Sequence, residues 1–198
     1  MITIHINDHG AVKDILATVA HLPRDIPAAL ARALNRTLRD VRREAVRLAR
    51  TTYTARTADL ARKSTLSLAK RGALTGAMTM ADARGMGLVN FRARPGKPGS
   101  RPEQGTSVHV LRSGGRKTPR KGGQKAFVAR GRGGNTHLFV RTKPGKGGMQ
   151  ALYGPHPIQA FGREENESAL ERIAEEALPR NLQQEIDAVL ARSVKGRR

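Results

Sequence analysis

The chain has 198 residues, with no Cys, no Trp and only six Phe or Tyr, and it carries 37 Lys and Arg against 16 Asp and Glu. The missing Cys excludes disulfides, thiolate catalysis and Cys-based zinc sites, and no apolar run approaches the roughly 20 residues that span a bilayer. The net charge of +21 is unevenly placed: residues 51–162 hold 21 bases against three acids, the first fifty nine against five, and the last thirty-six seven against eight. A central basic segment between two balanced ends points to a polyanion or an acidic partner, with the ends left for scaffolding.

Aromatic side chains bury the most surface per residue, so six of them make a shallow core, suited to a subunit stabilised by neighbouring copies. The N-terminus lacks a basic region followed by an apolar stretch. No signal peptide is therefore expected, and the chain reads as made in a reducing cytoplasm.

Residues 1–6 alternate Ile2, Ile4 and Ile6 with Thr3 and His5, a strand pattern. An amphipathic helix is expected over about 10–21, ending before Pro23. The clearest element is a helix over 26–51, in which Leu30, Leu34, Leu38, Val41, Ala45 and Leu48 recur at helical spacing. Arg32, Arg36, Arg39, Arg43, Arg47 and Arg50 keep the same rhythm on another face. The plainer reading is a solvated basic face with an i,i+4 contact between Arg36 and Asp40. The alternative is a stripe facing phosphates or acids.

A short helix at 57–63 precedes runs that read as strands: Leu66–Leu68, Ala73–Ala81, Leu88–Arg92, Ser107–Leu111, Ala126–Ala129 and Leu138–Arg141. Between them lie Gly- and Pro-punctuated basic loops at 94–105, 112–124, 130–135 and 143–148. The C-terminal segment 163–198 returns to helix, with one stripe of Leu170, Ile173, Ala174 and Ala177 and a second of Leu182, Ile186 and Val189. Pro179 between the stripes is expected to kink or split it.

Little in this pattern is catalytic. The six His residues are scattered, and no HExxH or comparable ligand spacing occurs. His109 and His137 fall on expected strands and read as ordinary strand histidines rather than as metal ligands. The tripeptide Gly122, Gly123, Gln124 is shared with peptide-release factors, but without that family's flanking residues it reads as a basic hairpin loop. The single Arg-Gly-Arg-Gly-Gly segment at 130–134 lacks the repeats and aromatics of RNA-binding tracts. No cofactor, metal or catalytic residue is expected. The candidate contacts to DNA or to a partner are Arg32, Arg36, Arg39, Arg43, Arg47, Arg94, Lys97, Arg101, Arg116, Lys117, Arg120, Lys121, Arg130, Arg132, Lys143 and Lys146. Contacts of this kind neutralise phosphates without reading bases.

The run RALNRT at 32–37, leading through Arg43 and Arg50 to Tyr53, resembles the prophage minor tail protein Z family. The strand pair around KAFVA at 125–129 and LFVR at 138–141, and the turn YGPHPI at 153–158, are similar to that family in the same order. The loops at 94–105 and 112–124 are longer than the pattern needs. The resemblance implies a structural virion protein that completes the head-proximal end of a long tail, with no enzymatic activity to carry over. Its expected partners are further copies in a hexameric ring, tail terminator, tail-tube or neck proteins, the tape-measure protein and genomic DNA, with no membrane. The competing reading is a sequence-independent nucleic-acid-binding protein of the packaging or ribosome-associated kind.

The fold expected is α+β: an antiparallel sheet with long basic hairpin loops packed on the long helix, spanning 1–162, followed by the C-terminal helical segment 163–198.

Overall fold

A computed structural model describes residues 2–6, 26–80, 85–100, 102–143, 148–156, 158–161 and 164–195. The helix expected over 10–21 lies outside them. The fold is α+β, with small antiparallel sheets and two long helices. The chain divides into two compact units. The first comprises Met1–Ala45, Ser64–Ala81 and Gly162–Arg198, and the second Val46–Lys63 and Asp82–Phe161.

The first unit holds strand β1 (Ile2–Ile6), most of helix α1 (Ile26–Thr52), strands β2 (Thr65–Ser67) and β3 (Gly76–Met80), and the C-terminal helix Glu164–Lys195. β3 is the central strand, antiparallel to both β1 (Ile4 opposite Met78) and β2 (Leu66 opposite Met78). Its residues alternate between buried Gly76, Met78 and Met80 and half-buried Ala77 and Thr79, as a strand with one core face must. Gly76 answers a close approach, because a Cβ there would stand 2.6 Å from Cδ1 of Leu38 on α1. Asn35 fastens the same region: its Nδ2 donates to the Ala69 carbonyl at 3.0 Å, and its Oδ1 accepts from the Ala69 amide at 2.8 Å.

The other flank of α1 meets the C-terminal helix. Ile26, Ala29, Leu30 and Ala33 pack with Leu182 and Val189, and Leu74 and Ile186 close the cluster. Two Ala on α1 keep this contact close, and no aromatic ring takes part. Thr37 is fully buried. Its Oγ1 donates to the Ala33 carbonyl at 3.1 Å and accepts from Asn181 Nδ2 at 3.1 Å. An apolar residue at 37 would leave that buried amide short of an acceptor.

Pro179 does not split the C-terminal helix, which runs through it as one element. Pro removes one amide donor from the helix interior. It stands on the exposed side, while the buried and half-buried positions step continuously through Leu170, Ala174, Ala177, Asn181, Glu185 and Val189. The two expected stripes are one, joined by polar residues that a hydrophobicity pattern passes over.

The second unit takes the end of α1, helix α2 (Thr57–Ala61), a 3-10 turn (Leu88–Asn90), strands β4 (Arg120–Lys121), β5 (Gln124–Lys125), β6 (Phe127–Arg130), β7 (Thr136–Arg141) and β8 (Met149–Ala151), and helix α3 (Ile158–Phe161). The C-terminal helix of the first unit is accordingly α4. β6, β7 and β8 form an antiparallel meander with β7 in the middle, and β4 and β5 a separate hairpin. The core gathers Val108, Ala126, Val128, Leu138 and Val140, with Leu88, Val89, Ala93, Val110 and Leu152 packed against it. Tyr53 and Phe91 meet edge to face at 6.2 Å between centroids.

Two sequence expectations are corrected here. Leu88–Arg92 is not a strand: a 3-10 turn at Leu88–Asn90 drops Leu88 and Val89 into the core, and Arg92 takes a left-handed backbone with φ 50°. Ser107–Leu111 is extended but builds no ladder. Its rungs go singly to three segments, Ser107 to Arg94, Val108 to Lys117 and Leu111 to Tyr53. The basic hairpin loop expected at Gly122–Gln124 is present, as the turn of the β4–β5 hairpin. Gly122 and Gly123 form the two-residue turn with φ 55° and 75°, values that favour glycine and match the twist of a tight hairpin.

Candidate functional site

Where a cation points depends on whether its unit supplies acids. In the first unit it does. Arg32 Nε lies 2.6 Å from Glu185 Oε2, and Arg36 Nη1 lies 2.9 Å from Gln184 Oε1 and 3.9 Å from Glu185 Oε1. Arg36 therefore reaches across to α4, and the expected i,i+4 contact with Asp40 is absent. Asp40 instead receives Arg43 at 3.2 Å, Arg180 at 3.8 Å and Asn181 at 3.2 Å. Arg39 is exposed, as is Arg47 farther along α1, where the helix belongs to the second unit. The arginine stripe on α1 is thus in good part a brace between helices. Asn35, Arg36 and Thr37 of the RALNRT run each have a structural task.

In the second unit the cations have few acids to meet. Among the acids there, Asp59 faces Arg62 at 3.7 Å, and Glu103 offers a main-chain carbonyl to Lys125 Nζ at 2.6 Å. Two groups of cations stand out.

The first surrounds the β4–β5 hairpin. Lys121, Gln124, Arg141 and Lys143 line a cleft of about 320 Å³, and Gly105, Gln124, Lys125, Phe127 and Arg141 line another of about 330 Å³. Arg141 lies over the Phe127 ring at 5.6 Å, and Lys121 Nζ donates to Gln150 Oε1 at 2.6 Å. These contacts hold long side chains in place beside the hairpin, whose tip and strands are exposed.

The second joins Arg92, Arg94 and Arg116. Arg94 and Ser107 exchange both main-chain hydrogen bonds, at 2.8 and 2.9 Å. Arg116 then spans the pair: Nη2 donates to the Arg92 carbonyl at 2.6 Å and the Ser107 carbonyl at 3.1 Å, and Nε donates to Ser107 Oγ at 3.2 Å. Arg116 is held below the ordinary arginine pKa, first by lost hydration and then by the charges of Arg94 and Arg92. No described acid pairs with any of the three.

Of the remaining candidates, Lys97, Lys117 and Arg120 are exposed, Lys117 with its main chain bridged to Val108. Arg130 and Arg132 are exposed at the end of β6 and in the β6–β7 turn, while Arg101 and Lys146 lie outside the described residues. The sequence pattern missed Arg92, Lys125 and Arg141. Each falls on or beside an expected strand, where alternation directs attention to the apolar neighbours. The scarcity of acids in 51–162 was the signal that could have included them.

Chemistry beyond binding finds little support in the geometry. His137 packs edge-on against Phe139 at 5.9 Å and beside Tyr153 at 6.1 Å. Among the described residues no three His, Asp or Glu gather as metal ligands, and no helix is long and apolar enough to cross a membrane. A further cleft of about 420 Å³, lined by Tyr53, Val108, Val110, Leu111 and Lys117, is mostly apolar.

Comparison with known proteins agrees with the RALNRT resemblance. The family model described as prophage minor tail protein Z (GPZ) matches residues 11–196. No curated protein and no solved structure matches the chain. With nearly the whole length matched, the chain belongs to the prophage minor tail protein Z family, whose members are structural proteins of the bacteriophage tail.

Proposed function

We propose that this protein completes the head-proximal end of a long phage tail and makes the tail competent to join a head. It acts there as a ring of copies, six to match a six-fold tail tube, against the terminator, tail-tube or neck proteins and the tape-measure protein. A closed ring leaves no unpaired interface at either end of the repeat, which suits a part that ends a tube. Family membership supports the tail. The observation that carries the finer reading is the concentration of cations in the second unit, 21 bases against three acids. Such a surface fits the passage of DNA or an acidic neighbouring ring. No catalytic step is assigned to it.

The test is removal of the gene from a producing prophage. Heads should fill and tails should reach full length, while joined, infective particles fall by orders of magnitude and return on complementation. Joined and infective particles without the protein would overturn the reading. The same excess of cations favours the competing reading, a free nucleic-acid-binding protein, which predicts that purified virions lack it. Detection at a few copies per tail excludes that alternative.

A further inference from the structure

We propose that Arg92, Arg94 and Arg116 form a binding site for the phosphodiester oxyanions of a nucleic-acid backbone. This deepens the tail reading by naming the ligand of one part of its basic surface. Three observations converge on it.

First, main-chain pairing rather than chance on a surface brings the three arginines together. The paired hydrogen bonds between Arg94 and Ser107 fix one segment against the other, and Arg116 is tied by three hydrogen bonds to Ser107 and the Arg92 carbonyl. Second, Arg92 holds a left-handed backbone at φ 50°, an arrangement that L side chains adopt at a cost and that tends to mark functional positions. Third, the three like charges have no acid to offset them, and their repulsion adds to lost hydration, the larger cause, in lowering the pKa of Arg116. A bound anion would relieve that repulsion.

The chemistry selects phosphate over carboxylate. Planar guanidinium forks match the oxygens of a phosphate, and Arg92 and Arg94 have their side-chain donors free. One carboxylate leaves most of the positive charge uncompensated, whereas a nucleic-acid strand brings a fresh negative charge about every 3.4 Å. An acidic protein partner is held best where an aromatic or other apolar anchor supplements the charges. Of the exposed large apolar side chains among the described residues, only Leu111 falls in a segment that builds the site, four residues beyond Ser107 and bridged to Tyr53 rather than to Arg94. The site would grip the backbone and read no bases.

The test measures binding of the full chain to a fluorescent 20-base-pair duplex across a KCl series. Arg92→Asn with Arg94→Gln removes two guanidiniums, and Asn accepts the left-handed backbone at 92. Affinity near 0.1 M salt should fall about 10-fold or more, and the slope of log affinity against log salt should shrink by about 2. The control Lys70→Gln with Arg172→Gln removes the same charge from exposed positions of the first unit and should leave the slope unchanged. Arg94→Gln alone, which disturbs no side-chain hydrogen bond, guards against a folding defect and should lower the slope by about 1.

Equal slopes for wild type and the 92/94 variant would overturn the proposal, as would equal losses in the control. Polyglutamate binding as tightly as the duplex, with the same dependence on Arg94, would assign the site to an acidic protein and also overturn it. Inorganic phosphate occupying the site while duplex fails to compete would do the same. Because the assay uses purified protein, its failure leaves the gene-removal test of head joining untouched.

Discussion

The two units use the same residue type in opposite ways. The first holds 16 Lys and Arg against 13 Asp and Glu, the second 21 against three. In the first, Glu185 and Asp40 each collect more than one cation, so arginine works as a brace between helices. In the second, Arg92 and Arg94 point free side chains outward from a main chain tied by hydrogen bonds. A count of basic residues therefore says little about binding. What decides is whether the fold brings an acid within reach.

The cores differ too. All six Phe and Tyr fall within the second unit, and the first is built from Ala, Leu, Met, Ile and Val. Helix against helix needs close approach, which Ala29 and Ala33 permit, while in the second unit rings pair outside an aliphatic cluster, Tyr53 with Phe91 and Phe127 with Phe139.

The most damaging single change in the first unit should be at Leu38, which is fully buried against Gly76 of the central strand. Leu38→Ala should cost about 2–5 kcal/mol in urea unfolding through lost burial and the cavity left behind. A loss below about 1 kcal/mol would mean that the site collapses freely and that α1 is not held on the sheet there. Next comes Asn181. Asn181→Ala removes the amide shared by Thr37 and Asp40 and should cost about 1–3 kcal/mol. A double-mutant cycle with Thr37→Val should return a coupling of at least about 0.5 kcal/mol, and additive losses would break the account of this polar joint.

These two residues also show what could be read in advance. Leu38 was legible, because a helix stripe follows from spacing alone. Asn181 was not. It is polar and sits in the gap that Pro179 opens in the apolar pattern, so its burial depends on a partner at Thr37, far away in sequence. The same limit explains the second unit. The β6–β7 pair announced itself by alternation, but Ser107–Leu111 looked like a strand because pattern cannot tell one neighbour from three. Arg94 and Arg116 were both picked out as cations. Their meeting with Arg92 was invisible, since it rests on the main-chain pairing of Arg94 with Ser107 and on the turn that places Arg92.

The smallest effects test the comparison most directly, because they should differ in sign. Arg32 is 44% exposed, and its pair with Glu185 stands largely in water. Arg32→Ala should cost about 0.2–1 kcal/mol at low salt, and less in 0.5 M KCl as screening weakens the pair it removes. Arg94→Gln should do the reverse in the absence of any anion. It relieves repulsion on Arg116, leaves the backbone bonds to Ser107 in place, and should leave the melting temperature unchanged or slightly raised. That gain should also fade in KCl, because salt already screens the repulsion. Added duplex should then stabilise the wild type more than the Arg94→Gln variant, since at a given concentration a ligand that binds the folded chain more tightly raises its stability more. Loss of stability from Arg94→Gln at low salt would mean that this arginine also works as a brace, and the contrast between the units would fail at its sharpest point.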